Sequence, residues 1–165
     1  MALISKKIID LLQLRLKNEE QSYRIYKAMS QFLSFKGFEG AAALWNKYAE
    51  EELEHEGWVF DYLQGLNIQP IVDGQEKPQN TFKNLQQVIA FSYQHELFIT
   101  EECNKLAKAC LDEQDIMTLN LAQRFVKEQH DELSKLQVWI DYLETFGDSK
   151  EALILLDNRM KEQAG

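Results

Sequence analysis

The sequence predicts an all-α fold, a four-helix bundle with one long crossover connection and a short fifth helix. Only seven glycines and two prolines interrupt the 165 residues. Between them, apolar residues recur at three- and four-residue spacings, which is typical of amphipathic helices, and strand-like alternation is nearly absent. Hydrophobic residues make up 45% of the chain, which is enough for one domain over residues 1–165.

The first two helices are expected over residues 5–34 and 39–66. A turn at Gly37 separates them, because glycine accepts the left-handed backbone with which many helices end. So short a link makes the two helices antiparallel neighbours. At about 28 residues each, such helices are about 40 Å long.

The third and fourth helices are expected over residues 81–111 and 114–146, again joined by a short link. Residues 67–80 contain both prolines and no helical stripe. We therefore expect this segment to run the length of the bundle, so that the second and third helices lie parallel.

A short fifth helix is expected over residues 149–161, beginning at Ser149 just after Gly147. Residues 152–156 are apolar throughout. That is more apolar surface than one face of a surface helix requires, so this helix is expected to pack against a further surface.

The charge of the chain limits its partners. A formal net charge of −9 argues against nucleic acid or an anionic membrane surface, since both reward basic patches. No apolar stretch is long enough for a signal peptide or a membrane span, so we expect a cytoplasmic protein. Cys103 and Cys110 lie too far apart along one helix for a disulfide and are expected to be reduced core residues.

One glutamate interrupts the apolar stripe of each long helix: Glu19, Glu52, Glu96 and Glu132, with His55 three residues after Glu52. Each glutamate lies about 15 to 19 residues from the nearest tight turn, so all four fall near mid-bundle within roughly one helical turn. A single inward glutamate is usually a boundary residue that reaches solvent. Four at one level would repel one another unless cations lay among them, which predicts a pair of metal ions.

Carboxylates with one imidazole form a hard donor set, which favours iron or manganese over copper. Gln129, three residues before Glu132, is neutral and is expected to assist by donating a hydrogen bond to a bound oxygen species. Tyr26 lies two turns beyond Glu19 on the same face, where it could hydrogen-bond a ligand or donate an electron to oxygen. An ordinary core tyrosine is an equally good interpretation of Tyr26.

At these residues the chain resembles the bacterial non-haem ferritins over essentially its whole length. Glutamates combined with a Glu-x-x-His motif are the di-metal pattern of ferritin-like bundles. The segments that carry the resemblance are 38–43 (FEGAAA), 52–55 (ELEH), 93–96 (YQHE) and 128–132 (EQHDE).

The resemblance implies a di-iron centre that oxidises iron. Glu19, Glu52 and His55 would hold one iron, and Glu52 would bridge to a second iron held by Glu96 and Glu132. Gln129 would assist at this centre.

The resemblance also implies a third, weaker iron site at Glu51, Glu128 and Asp131, where Asp131 replaces the usual glutamate. Bacterioferritins have histidine at the position of Glu132 and their haem-binding methionine at the position of Leu53, so no haem is expected. The family assembles as a hollow homo-oligomeric shell of about 24 subunits, with the fifth helix lining a four-fold channel.

The function implied is that of an iron-storage ferritin, which oxidises Fe(II) with dioxygen or peroxide and stores Fe(III) as an oxide mineral. Two alternatives stay open. One is a peroxide-reducing di-iron bundle that stores no mineral, and the other is a non-catalytic helical bundle whose carboxylates bind a structural cation.

Overall fold

The computed structural model describes residues 3–165. The helices of this part of the chain are α1 (Lys6–Phe35), α2 (Glu39–Gly65), α3 (Leu85–Asp112), α4 (Ile116–Phe146) and α5 (Lys150–Ala164). The first four contain between 27 and 31 residues and form the predicted bundle, and α5 is the predicted short fifth helix.

Side-chain caps mark the starts of four helices, and two of these caps lie away from the predicted helix starts. Asn84 accepts a hydrogen bond from the helix backbone, so α3 begins at Leu85 and not at Thr81 as the sequence pattern predicted. Asp115 caps α4 in the same way, and that helix begins at Ile116. Four unpaired N–H groups at a helix start make such acceptors favourable, and the apolar periodicity does not reveal which residue supplies one.

The helix α2 is capped from outside its own segment. Phe38, the residue before it, makes no side-chain cap. Instead the Asp157 carboxylate of α5 accepts hydrogen bonds from the backbone N–H groups of Gly40, at 3.1 Å, and Ala41, at 2.7 Å. This contact holds α5 against the start of α2, and α5 continues to Ala164, three residues beyond the predicted end.

Two antiparallel hairpins make up the bundle. A turn at Gly37, whose φ is 85°, joins α1 to α2, and glycine adopts this backbone conformation without strain. Residues 113–115 join α3 to α4. Both short links lie where the sequence predicted them.

The long connection between the hairpins lies along α1. The side-chain amide of Gln13 donates a hydrogen bond to the Gln69 carbonyl oxygen, at 2.9 Å. One turn further on, the Lys17 ammonium pairs with Asp73 at 2.9 Å. The connection therefore runs in the same direction as α1 and returns the chain to the end at which α2 began, so α3 lies parallel to α2 as predicted.

The hydrophobic core divides into two clusters. Cluster I, at the end of the bundle near α5, includes Met29, Leu33, Trp45, Ile89, Trp139 and Leu156. Cluster II, at the other end, includes Ile8, Leu12, Val59, Cys103, Leu106 and Phe125. A buried polar layer separates them at mid-bundle and consists of Glu19, Ser22, Glu52, His55, Ser92, Glu96, Gln129 and Glu132.

Both cysteines are buried and neither forms a disulfide. Both belong to cluster II, and the Cys103 sulfur accepts a hydrogen bond from the Arg15 guanidinium. Within the described residues, every helix is too short or too polar to cross a membrane.

Candidate metal centre

The five predicted ligands and Gln129 all lie in the polar layer. Each of these six residues is at most 5% exposed: Glu19, Glu52, His55, Glu96, Gln129 and Glu132. Each of the four long helices contributes to the layer because its inward stripe continues through a polar residue at that level. The structure thus brings the four glutamates to one level, as the spacing predicted.

Glu19, Glu52 and His55 form the tightest group in the layer. The His55 Nδ1 atom lies 3.4 Å from Glu19 Oε2 and 3.3 Å from Glu52 Oε2. One potential ligand atom from each residue lies within 4.8 Å of the other two. Two carboxylates and an imidazole at this separation can share one divalent cation.

Glu96 is held by two donors. The Tyr26 hydroxyl donates a hydrogen bond to Glu96 Oε1, and the Gln129 amide donates one to Glu96 Oε2 at 2.7 Å. Both carboxylate oxygens therefore have a fixed direction. The hydrogen-bonding role that the sequence suggested for Tyr26 is present here, and the partner of Gln129 is Glu96.

Glu132 has a different partner. The Lys135 ammonium lies 2.9 Å from Glu132 Oε1 and 3.2 Å from Glu51 Oε2. Lys135 follows Glu132 by three residues and so lies on the same face of α4. It joins a buried acid of α4 to a partly exposed acid of α2.

Electrostatic effects differ sharply within the group. Burial favours the neutral carboxyl, but the Arg15 guanidinium and His55 lower the pKa of Glu19 to about 2. Burial and the neighbouring charge of Glu19 raise the pKa of Glu52 well above its usual range. Burial opposes charge on the imidazole, yet its contacts with Glu19 and Glu52 raise the pKa of His55 to about 10. Near neutral pH, Glu19 is therefore ionised and His55 holds a proton.

The pKa values of Glu132 and of the neighbouring Tyr26 hydroxyl are also raised. Burial raises the pKa of Glu132 to about 7, although Lys135 opposes the shift. Burial raises the pKa of the Tyr26 hydroxyl well above its usual range, and the charges of Glu96, Glu52 and Glu132 add to that rise. Tyr26 therefore lies within the electrostatic reach of acids on three helices.

The three acids of the implied third site have separate partners. Glu51 pairs with Lys135, and Glu128 Oε1 lies 4.0 Å from His55 Nε2. Asp131 is exposed and contacts its neighbour His130 at 3.3 Å. In this structure these acids do not share a common centre.

Sequence reasoning missed the two basic partners of the layer. Arg15 Nη2 lies 2.5 Å from Glu19 Oε1, and Lys135 is paired with Glu132. Their spacings from the glutamates, four residues and three, are those at which opposite charges meet on a helix. That charge pairing was the signal that could have revealed them.

An aromatic stack also borders the imidazole. The Trp58 ring lies 4.6 Å from the His55 ring, centroid to centroid, and the Arg124 guanidinium lies 3.4 Å from the Trp58 centroid. Phe125 packs on the same indole at 5.3 Å. These contacts limit the rotation of His55 and fix the direction of its ring nitrogens.

The donor set of Glu19, Glu52 and His55 fits a divalent cation. Buried carboxylates are costly unless they are paired with cations or protonated, and the layer at present uses Arg15, Lys135 and bound protons for this purpose. Oxygen donors with one imidazole suit a hard divalent ion such as Fe(II). A metal ion would displace the proton on His55.

A four-helix bundle with one long crossover and a buried carboxylate–histidine group at mid-bundle is the arrangement of ferritin-like proteins. The chain belongs to the ferritin family, since the family profile of the ferritin-like domain matches residues 9–146.

Relatives with full-length similarity support this assignment. The chain is 34% identical over 158 residues to the bacterial non-heme ferritin of Escherichia coli, covering 96% of each chain. It is 31% identical over 155 residues to a probable bacterial non-heme ferritin-like protein of Haemophilus influenzae, covering 94% of each. Among solved structures, it resembles an open-pore ferritin from the archaeon Archaeoglobus fulgidus with a TM-score of 0.94 and 25% identity, covering 98% of each chain.

Proposed function

We propose that this protein is an iron-storage ferritin that oxidises Fe(II) at the polar layer and stores the Fe(III) product as an oxide mineral. One observation supports this most directly: Glu19, Glu52 and His55 place potential ligand atoms within 4.8 Å of one another in the core of a ferritin-family bundle. Fe(II) is the substrate, and dioxygen or hydrogen peroxide is the oxidant.

The proposed ligands divide into two sets that share Glu52. Glu19 and His55 bind the first iron, Glu96 and Glu132 bind the second, and Glu52 bridges the two. Two Fe(II) ions each lose one electron, so the pair reduces one dioxygen, with two protons, to hydrogen peroxide. With peroxide as oxidant, the same two electrons and two protons give two waters.

Tyr26 and Gln129 assist by holding Glu96. Their hydrogen bonds to its two oxygens orient the carboxylate before iron arrives, which reduces the ordering that binding requires. In this proposal Tyr26 acts on the centre through its hydrogen bond to Glu96. A third iron would bind more weakly at Glu51, Glu128 and Asp131, after those side chains have moved together.

We further propose a cytoplasmic homo-oligomer, a hollow shell of about 24 copies. The face of α5 that bears Ile154 and Leu155 supports an assembled state, since both are about 60% exposed in the subunit, at 62% and 59%. Such a face is costly to leave in water and suits contact with other copies of the chain. No haem is required by the residues of the polar layer.

Anaerobic loading with Fe(II), followed by oxygen, tests the proposal. A fast rise in ultraviolet absorbance that saturates near two irons per chain, on a particle sized by light scattering as a large shell, is the expected result. A fast phase on a small oligomer that retains no mineral would favour the peroxide-reducing bundle. Metal binding without a fast phase would leave the non-catalytic bundle, and both results would contradict iron storage.

A further inference from the structure

Lys135 is bound in a three-sided cation site at the edge of the polar layer. Its ammonium lies 2.9 Å from Glu132 Oε1 and 3.2 Å from Glu51 Oε2. The third side is the face of the Tyr48 ring, whose centroid is 5.8 Å from the ammonium. Carboxylates and an aromatic face each attract a cation, and the attraction is stronger where water is partly excluded.

Lys135 and Arg15 differ in how easily their side chains can move away from the acids with which they pair. The Arg15 side chain is 2% exposed and is enclosed by Cys103 and Phe125 as well as by Glu19. The Lys135 side chain is 34% exposed, and its ammonium is carried on a flexible four-carbon stem. Arg15 is therefore a fixed charge, while Lys135 can move out to solvent.

We propose that Lys135 is a resident cation that competes with the second metal ion for Glu132. This inference rests on the proposed function, because it assumes that Glu132 is a metal ligand. A metal ion at Glu96 and Glu132 either displaces the ammonium or binds beside it, and both routes cost free energy. The first set, Glu19 with Glu52 and His55, lacks such a displaceable lysine, so the two metal ions bind with unequal affinity.

The same contact has a consequence for Glu51. While Lys135 remains in place, the Glu51 carboxylate is paired with the ammonium and is less able to bind a third metal ion. At low metal concentration, Lys135 thus restricts metal binding to the first set. As the metal concentration rises, the ammonium is displaced, and Glu132 and Glu51 become available as ligands.

Cobalt(II) titration of the assembled protein tests this inference, because d–d absorption reports ligand type and calorimetry reports affinity. The test variant is Lys135→Met, which keeps the length of the side chain and removes the charge. Lys135→Arg keeps the charge, and Lys127→Met removes a charge from an exposed residue of the same helix. Titrations at about pH 8 limit competition from protons for the carboxylates.

The wild-type protein should bind two cobalt ions in separate steps. In Lys135→Met the second step should become about tenfold tighter or more, since a nearby positive charge has been removed, while the first step stays unchanged. Lys135→Arg should retain the weak second step, and Lys127→Met should match the wild type. Circular dichroism of each variant checks that the fold is kept.

The outcomes separate this inference from the proposed function. If the wild-type protein binds no cobalt in the core, the proposed metal centre itself is wrong. If it binds two ions but Lys135→Met leaves the second step unchanged or weakens it, only the role of Lys135 is overturned. A tighter second step in both Lys135→Met and Lys127→Met would also overturn it, because the effect would then be one of general charge.

Discussion

Arg15 and Glu19 form an ion pair in the centre of the bundle, with 2.5 Å between Nη2 and Oε1 and both side chains 2% exposed. The same guanidinium lies 3.1 Å from the Cys103 sulfur and over the Phe125 ring. A charge so enclosed cannot move away when a metal ion arrives. The guanidinium therefore keeps the Glu19 carboxylate ionised, and the second oxygen of Glu19, Oε2, faces His55.

Removal of Arg15 should destabilise the protein. In Arg15→Met the Glu19 charge loses its partner in a dry environment, and breaking a buried pair from one side costs about 3–5 kcal/mol. The free energy of unfolding of the metal-free protein, measured with denaturant, checks this. The double variant Arg15→Met/Glu19→Gln should recover much of the loss, and equal stability of Arg15→Met and the wild type would contradict the interpretation.

Loss of the bridging carboxylate should stop iron oxidation without harm to the fold. Glu52→Ala removes an acid that belongs to both proposed ligand sets, so the fast oxidation phase should disappear. It also removes a buried carboxyl whose ionisation is disfavoured by burial and by the charge of Glu19, so the metal-free protein should lose little stability. Stopped-flow absorbance after oxygen mixing, with light scattering for assembly, measures both effects.

Glu54→Ala is the matched control for Glu52→Ala. Glu54 lies on the same helix, two residues away, and is exposed. This variant should oxidise iron at the wild-type rate. A full oxidation rate in Glu52→Ala would show that the centre lies elsewhere.

The stability of the metal-free protein should fall as pH rises above about 6.5. The folded protein raises the pKa of His55 from an ordinary value of 6.5 to about 10, so it binds a proton more tightly than the unfolded chain does. That contribution is fully present below pH 6.5 and is lost progressively up to pH 10. The raised pKa of Glu52 acts in the same direction, and thermal unfolding between these pH values measures the trend.

His55→Gln is the control for this pH trend, and it should flatten the decline above pH 6.5. A divalent metal ion should reverse the trend, because binding requires a neutral imidazole and becomes tighter as protons leave. Calorimetry in buffers of different ionisation enthalpy should therefore show protons released at neutral pH. Binding without proton release would contradict the assigned protonation of His55.

The contact between α5 and α2 should depend on a glycine. A Cβ atom built at Gly40 would lie 1.9 Å from the backbone oxygen of Asp157, so Gly40→Ala should displace α5 and lower the melting temperature. Gly57→Ala is the control on the same helix, since nothing lies within 4 Å of its Cβ position. Alanine there should stabilise the helix by roughly 0.5–1 kcal/mol. Equal melting temperatures for the two variants would contradict the close packing at Gly40.

Much of the fold was predictable because local signals were strong. Long apolar periodicity, the turn at Gly37 and the proline-containing connection were enough to predict five helices and the parallel arrangement of α2 and α3. The start of α3 was predicted four residues too early, since the capping role of Asn84 depends on its backbone conformation and not on the apolar pattern.

The polar layer was predictable only in part. Equal distance from the turns placed Glu19, Glu52, Glu96 and Glu132 at one level, and the structure confirms that they are all buried there. Their assignment as iron ligands stays a prediction. The partners of these acids were not predicted, since Tyr26, Gln129 and Lys135 could each have turned to several neighbours.

The sequence by itself determined which residues face inward and at what height, because helical periodicity and residue counts from tight turns fix both. Only the tertiary structure decided which donor meets which carboxylate. The bond from Gln129 to Glu96 and the bridge of Lys135 from Glu132 to Glu51 cross between helices. Such contacts depend on the rotation and spacing of packed helices and on side-chain rotamers, which are set by the whole core at once and not by any local pattern.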